Sequence, residues 1–265
     1  MKMLLVFACL AAIFATAERL FPARSQPLLR SGFLTDLLYI PIHFLMRVIL
    51  NGTLAVVLSD QARRLLPPGT VGVLEGAPLW VQVVVLLLVM DLVFYLIHRA
   101  KHQWSWWWRL HETHHSSRDL DWLSTVRFHP LEKAIDRLLY LVPLLVLGPC
   151  DDAVLAWAAV DAASGMLIHS NLPVRLGPLV YVLNGPELHG WHHAPDEAAQ
   201  RTNFGNNFSI FDWLFGTARL RPELPPGFGT GDPDYPEGNL WKQFLYAFRP
   251  HDREEGGQEA TGHDR

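Results

Sequence analysis

The longest apolar run in the chain is Leu79 to Ile97, where Asp91 is the only charged side chain. A spanning helix needs about 20 such residues, so this run predicts a helix able to cross a bilayer. A weaker run, Phe33 to Leu58, is broken by Asp36, His43 and Arg47. Two shorter ones, Leu138 to Leu147 and Ala153 to Ile168, fall below spanning length. They predict a helical hairpin dipping into the bilayer, or the upper halves of helices that continue beyond it. Met1 to Ala17 has a lysine, an apolar stretch and Ala-Thr-Ala before Glu18. That fits a cleaved secretory leader or a first membrane helix, and the membranous character of the remaining chain favours a retained anchor.

Composition supports lipid as part of the solvent. Half of the 265 residues are hydrophobic and 18% are charged, against about 25% in soluble chains. Arg19, Arg24 and Arg30 come after the first run, Arg63 and Arg64 separate the second and third, and seven Lys and Arg lie from Arg99 to Arg137. The excess of positive charge predicts that the segment after His98 is cytoplasmic. A net charge of −4 provides no basic field for nucleic acid, and two cysteines, Cys9 and Cys150, are too few for a disulfide framework or a cysteine-ligated metal. Pro222 to Gly238 reads as an extended surface loop and Gly256 to Arg265 as a polar tail.

Thirteen histidines change the picture, ten of them between His98 and His193. His98-Arg-Ala-Lys-His102 is followed by His111-Glu-Thr-His-His115 and His189-Gly-Trp-His-His193. Positions i, i+3 and i+4 share one face of a helix, so each cluster aims two or three imidazoles at one point. His129 and His169 lie beside apolar helical runs. So many imidazoles near a membrane without a partner would be costly, which points to metal coordination. Three chemistries compete. His111-Glu112-Thr113-His114-His115 satisfies the zinc protease pattern, with Glu112 as general base, but uses two of the ten clustered histidines. A non-catalytic metal-binding membrane protein is the second. The third is a pair of metals, since imidazole suits iron as well as zinc: irons that activate O2 suit apolar helices able to admit a lipid.

In order, HRAKH, WRLHETHH, RFHPLE, IHSN, LHGWHH and NFGNNFSIFDWLFGT resemble the fatty acid hydroxylase superfamily, in its sterol desaturase-like branch. The likeness is strong over about residues 85 to 220. It implies an all-α, multi-pass integral membrane helical bundle with a cytosolic histidine-rich metal-binding cap. It further implies two iron ions, replaceable by zinc on purification, and O2-dependent hydroxylation or desaturation of a lipid. The implied metal ligands are His98, His102, His111, His114, His115, His129, His169, His189, His192 and His193, undivided between the two ions. No haem motif of the cytochrome b5 type follows His129-Pro130, so electrons would come from a separate donor protein. The implied organisation is N-terminal membrane helices over 1–80, a histidine-box domain over 81–221 and a C-terminal loop and tail over 222–265.

Other residues take supporting parts. Glu112 suits either a hydrogen bond to a ligand imidazole or a solvated helix face. Asp91, two turns before His98, suits hydrogen bonding or packing, and Asn203, Asn206 and Asn207 suit a turn. Trp104, Trp106, Trp107 and Trp108 fit an interfacial aromatic belt. Asn51 heads an accidental glycosylation pattern inside an apolar run.

Overall fold

The structure, a computed structural model, describes residues 2–49, 61, 64, 65, 67 and 69–249. The end of the second apolar run, Asn51, Arg63 and the polar tail lie outside these. Ten α-helices are described and no strand: α1 (Lys2–Leu20), α2 (Phe33–Ile49), α3 (Leu79–Gln103), α4 (Ser105–His115), α5 (Pro130–Leu147), α6 (Asp151–His169), α7 (Pro186–His192), α8 (Glu197–Gln200), α9 (Ile210–Leu214) and α10 (Leu240–Tyr246).

Among the described residues, α1 and α3 are long and apolar enough to cross a membrane. The helix α3 continues past Ile97 through His98 and His102. The two short runs become two consecutive helices: α5 begins at Pro130, ends where Gly148 turns left-handed at φ 59°, and is followed by α6 with Asp151 and Asp152 in its first turn. Acidic side chains there suit the positive end of the helix dipole. α6 packs against α1, α3 and α7, and α3 also packs against α4 and α5.

The polarity of the molecule is inverted. Leu5, Leu34, Trp80, Leu88 and Val142 are exposed, whereas Asp36, Arg127 and Glu132 are fully buried. Such an exterior suits hydrocarbon, and a polar interior then needs internal partners for every group. Arg30 has them in Asp36 at 2.7 Å and Asp121, and Arg127 Nε reaches Asp36 at 2.6 Å. Asp121 also caps the short 3-10 helix Trp122–Val126, accepting the Leu123 and Ser124 amides. This network fastens α2 to the segment that leads into α5.

The stretch from Pro222 to Gly238 is irregular backbone, much of it exposed, with a few anchors to the rest of the chain. Gly229 N–H donates to the His193 carbonyl, Gln200 Nε2 to the Gly229 carbonyl, and the Tyr235 hydroxyl to Thr113 Oγ1. These bonds anchor the exposed stretch to the histidine-bearing segments at Gly229 and Tyr235.

Candidate metal centre

The helical spacing brings nine histidines into the interior, all at most 4% exposed. They form two groups, in each of which the nearest ring nitrogens lie within 4.8 Å of one another. His98 and His102 from α3, His111 and His115 from α4 and His192 from α7 make a group of five. His114 from α4, His169 from the end of α6, and His189 and His193 from α7 and its C-cap make a group of four. The two three-histidine boxes are divided between the groups in opposite senses: the i and i+4 residues of the first join the group of five and its i+3 residue the group of four, whereas in the second the i+3 residue joins the group of five.

Hydrogen bonds fix the tautomers. His98 Nδ1 donates to the Phe204 carbonyl and His192 Nδ1 to the Thr202 carbonyl, both at 2.7 Å. His169 Nδ1 donates to the Gly165 carbonyl at 2.7 Å and His114 Nδ1 to that of Arg127 at 3.2 Å. A carbonyl only accepts, so these four rings carry their proton on Nδ1 and present a lone pair at Nε2. Yet Nε2 of His98 and His192 are 3.0 Å apart, and those of His114 and His169 are 3.1 Å apart. Burial pushes the His192 imidazole down to about 3 and that of His169 to about 4, so neither ring supplies a second proton near neutrality. Facing lone pairs at this distance repel unless a cation lies among them. Both ring nitrogens of His115, Nε2 of His102 and Nδ1 of His189 and His193 are buried without a hydrogen-bond partner. Neutral imidazoles so arranged are a donor set for iron or zinc, and two metal ions fit the two groups.

Further side chains orient the donors. His111 Nδ1 lies 2.8 Å from Glu132 Oε1, which also accepts from Lys101 Nζ at 2.7 Å, and Lys101 reaches Asp136 at 2.8 Å. Phe128 stacks on His114 at 4.1 Å. Trp108 packs on His102 and His115, whereas Trp104 and Trp106 are exposed as a belt would be. Sequence reasoning missed Glu132, Lys101 and Asp136; the i, i+4 pair Glu132 and Asp136 just after the His129-Pro130 helix start was the available signal.

His129 is not brought into either group. It caps α5, with Nδ1 accepting the Leu131 amide at 3.1 Å and Nε2 lying 3.3 Å from the Phe244 carbonyl. Glu112 is buried, within electrostatic reach of Tyr235 and Tyr246. Asp91 accepts the Asn207 and Phe208 amides and Asn207 Nδ2 at 2.8 to 2.9 Å. Asn203 adopts φ 57° and bonds Leu188 and Arg219, so these asparagines build the turn. A cavity of about 140 Å³ abuts both groups, and an apolar groove of similar volume, past Leu120, Ile168 and Phe228, reaches His169 from another side.

The fatty acid hydroxylase family model matches residues 83–217, from α3 to the end of the turn after α9. The chain belongs to the fatty acid hydroxylase family. Within it, the chain is 38% identical over 145 residues to the ornithine lipid hydroxylase OlsE of Rhizobium tropici, covering 55% of this chain and 44% of that protein. It is 30% identical over 130 residues to alkylglycerol monooxygenase of Xenopus tropicalis, covering 49% and 29%. To the very-long-chain aldehyde decarbonylase GL1-6 of Oryza sativa subsp. japonica it is 26% identical, covering 48% and 21%. The matched part of this fatty acid hydroxylase family member spans less than half the length of each of these relatives. No solved structure matches it.

Proposed function

We propose that this family member is a membrane-bound non-haem di-iron oxidoreductase that hydroxylates or desaturates a lipid, with O2 as oxidant and electrons from a separate donor protein. The observation that carries the reading is the pair of histidine groups whose Nε2 lone pairs converge without a proton between them. His98, His102, His111, His115 and His192 would hold one iron, and His114, His169, His189 and His193 the other. Two irons so held would supply O2 activation and the two-electron oxidation of a C–H bond. Hydroxylation balances as R–H + O2 + 2e⁻ + 2H⁺ giving R–OH + H2O.

The chain's own part is binding and orientation. The Phe204, Thr202, Gly165 and Arg127 carbonyls and the Glu132 carboxylate hold five imidazoles with Nε2 toward the centre. The residues 222–238 exclude water from one flank. The relatives' lipid chemistry supports the lipid assignment. The zinc protease reading uses only two of the five donors around His111. The charge pattern supports a cytoplasmic site.

Metal content per chain, on protein produced with iron and purified in detergent, tests this beside a His114→Ala/His192→Ala double variant. About two metal ions, at least partly iron because zinc competes for such donors, and lost in the variant, are expected. Iron-loaded protein given a reductase should then incorporate one atom of ¹⁸O2 into a lipid, or remove two hydrogens from it. One zinc per chain that survives loss of His192 would overturn the reading.

A further inference from the structure

The tryptophans after α3 connect the group of five to the surface. Trp108 is buried, with its ring centre 4.9 Å from that of His102 and 5.2 Å from that of His115. The other benzene or indole rings beside the nine histidines, among the described residues, are Phe94, Phe128 and Phe204. A benzene ring gives up an electron far less readily than an indole, so Trp108 is the oxidisable ring against the histidines. Trp104, Trp106 and Trp107 form a stack beside it: their rings are nearly parallel, at 10° to 21°, with centres 5.1 to 6.4 Å apart. Trp107 is the chain neighbour of Trp108, and the Trp104 carbonyl accepts the amides of both, at 3.0 and 2.9 Å. The outer members, Trp104 and Trp106, are 54% and 51% exposed. Anchoring at a membrane surface uses exposed indoles, but it requires neither the buried pair nor the parallel stacking.

The stack has a direction. Trp107 Nε1 is buried with no hydrogen-bond acceptor among the described residues, so an oxidised Trp107 keeps its proton and remains a cation. The Lys101 ammonium, 6.0 Å from the centre of that ring, opposes a positive charge resting there. Trp104 and Trp106 meet solvent, to which an oxidised indole loses its N–H proton and becomes a neutral radical. An electron vacancy that leaves Trp108 therefore settles on the outer pair.

We propose that Trp108, Trp107, Trp106 and Trp104 form an outward relay that draws oxidising equivalents away from the ligand histidines when O2 is reduced with no lipid in place. The inference rests on the di-iron oxygenase reading and adds to it a protective function, since excluding side reactions is part of what a protein contributes to O2 chemistry. Two electrons from the donor protein and two drawn singly through Trp108 reduce O2 completely, O2 + 4e⁻ + 4H⁺ giving 2H2O. Each electron so drawn leaves an outer indole short of one electron and one proton. A soluble thiol restores both, two thiols giving one disulfide, two electrons and two protons. Without a thiol, the outer indoles take up oxygen as hydroxytryptophan or N-formylkynurenine.

Full-length iron-loaded protein in a maltoside detergent is reduced, freed of excess reductant and mixed with O2 in the absence of lipid. Freeze-quench EPR is expected to show a tryptophan radical, identified by the narrowing of its signal in protein grown on ring-deuterated tryptophan. Peptide mass spectrometry should place the oxidised products at Trp104 and Trp106. Glutathione should suppress both signals and appear as one disulfide per O2 consumed. Trp108→Phe keeps an aromatic ring against His102 and His115; at equal iron content it should lose most of the radical and of the outer oxidation, and gain oxidised histidine. The Trp104→Phe/Trp106→Phe double variant, altered only at exposed positions, should move the oxidation inward to Trp107 and Trp108, and it carries the test if Trp108→Phe loses its iron. O2 uptake with neither radical nor oxidised tryptophan, or a radical yield and product pattern that these substitutions leave unchanged, overturns the relay and leaves the tryptophans as membrane anchors. Reduced iron protein that takes up no O2 would instead remove the oxygenase reading, and the relay with it.

Discussion

A carboxylate on Nδ1 sets His111 apart from the four histidines held by backbone carbonyls. Glu132 is fully buried and shares one oxygen between His111 and Lys101. A carboxylate partner raises the basicity of a ligand imidazole, and losing such a partner typically costs ten- to a hundredfold in metal affinity. Glu132→Gln keeps the shape and removes the charge, so metal in the group of five should be lost to a chelator at about tenfold lower concentration. Unchanged retention would dismiss the role. The part Glu132 plays is not legible in the sequence, because its partner lies 21 positions away. Eight of the nine ligand candidates are legible by spacing, which puts i, i+3 and i+4 on one face, whereas His169 stands alone in the sequence and comes only through the resemblance. Their division between two groups is not legible, because it depends on how α4 and α7 meet. His129 shows the limit from the other side: in sequence it resembles the others, but the helix that starts at Pro130 takes its Nδ1 as a cap.

Between the third histidine box and Thr217 the chain is a frame for the carbonyls that hold two ligands. Asp212 accepts the Phe204 and Gly205 amides, and Asp91 reaches from α3 to the Asn207 and Phe208 amides. The Asp91 carboxylate of α3 is thus a tether: it steadies the turn that carries Phe204, whose carbonyl orients His98, without touching a metal ligand. Asp91→Ala leaves the Asn207 and Phe208 amides without an acceptor and Asn207 Nδ2 with only Asp161 at 3.4 Å, a loss of about 2 to 4 kcal/mol. A lower melting temperature with reduced metal content is the expected result, and Asp91→Asn, which keeps an acceptor, should fall between. A melt equal to that of the unaltered protein would reject the tether. Long elements were legible here because α3, α5 and α6 carry sustained apolar runs. The helices α7 to α10, of four to seven residues, are too short for periodicity to register. The 222–238 segment is legible as irregular backbone from its glycine and proline content, whereas its anchors at Gly229 and Tyr235 are not.

Across the whole molecule, α3 packs on α4 through Ile97, Trp107 and Leu110 and on α6 through Leu86, Met90 and Ala153, and the metal groups add α7 to these elements. The group of five draws on α3, α4 and α7, and the group of four on α4, α6 and α7. Two bound ions would therefore cross-link four helices around an interior crowded with neutral imidazoles, and binding to the native state alone raises stability by mass action. Without them, the rings are a liability in acid. His192 and His169 protonate in the folded chain only near about 3 and about 4, against 6.5 when exposed. Between those values the unfolded chain binds protons that the native chain refuses, so native stability is full above pH 6.5 and declines as pH falls toward about 4. The melting temperature of chelator-treated protein should drop steadily over that interval. Metal-loaded protein should melt higher and hold its stability further into acid, because protons must then displace a bound cation. A flat profile for the metal-free protein from pH 6.5 to about 4 would mean that these rings are open to water, and the lone-pair argument for two metals would go with it.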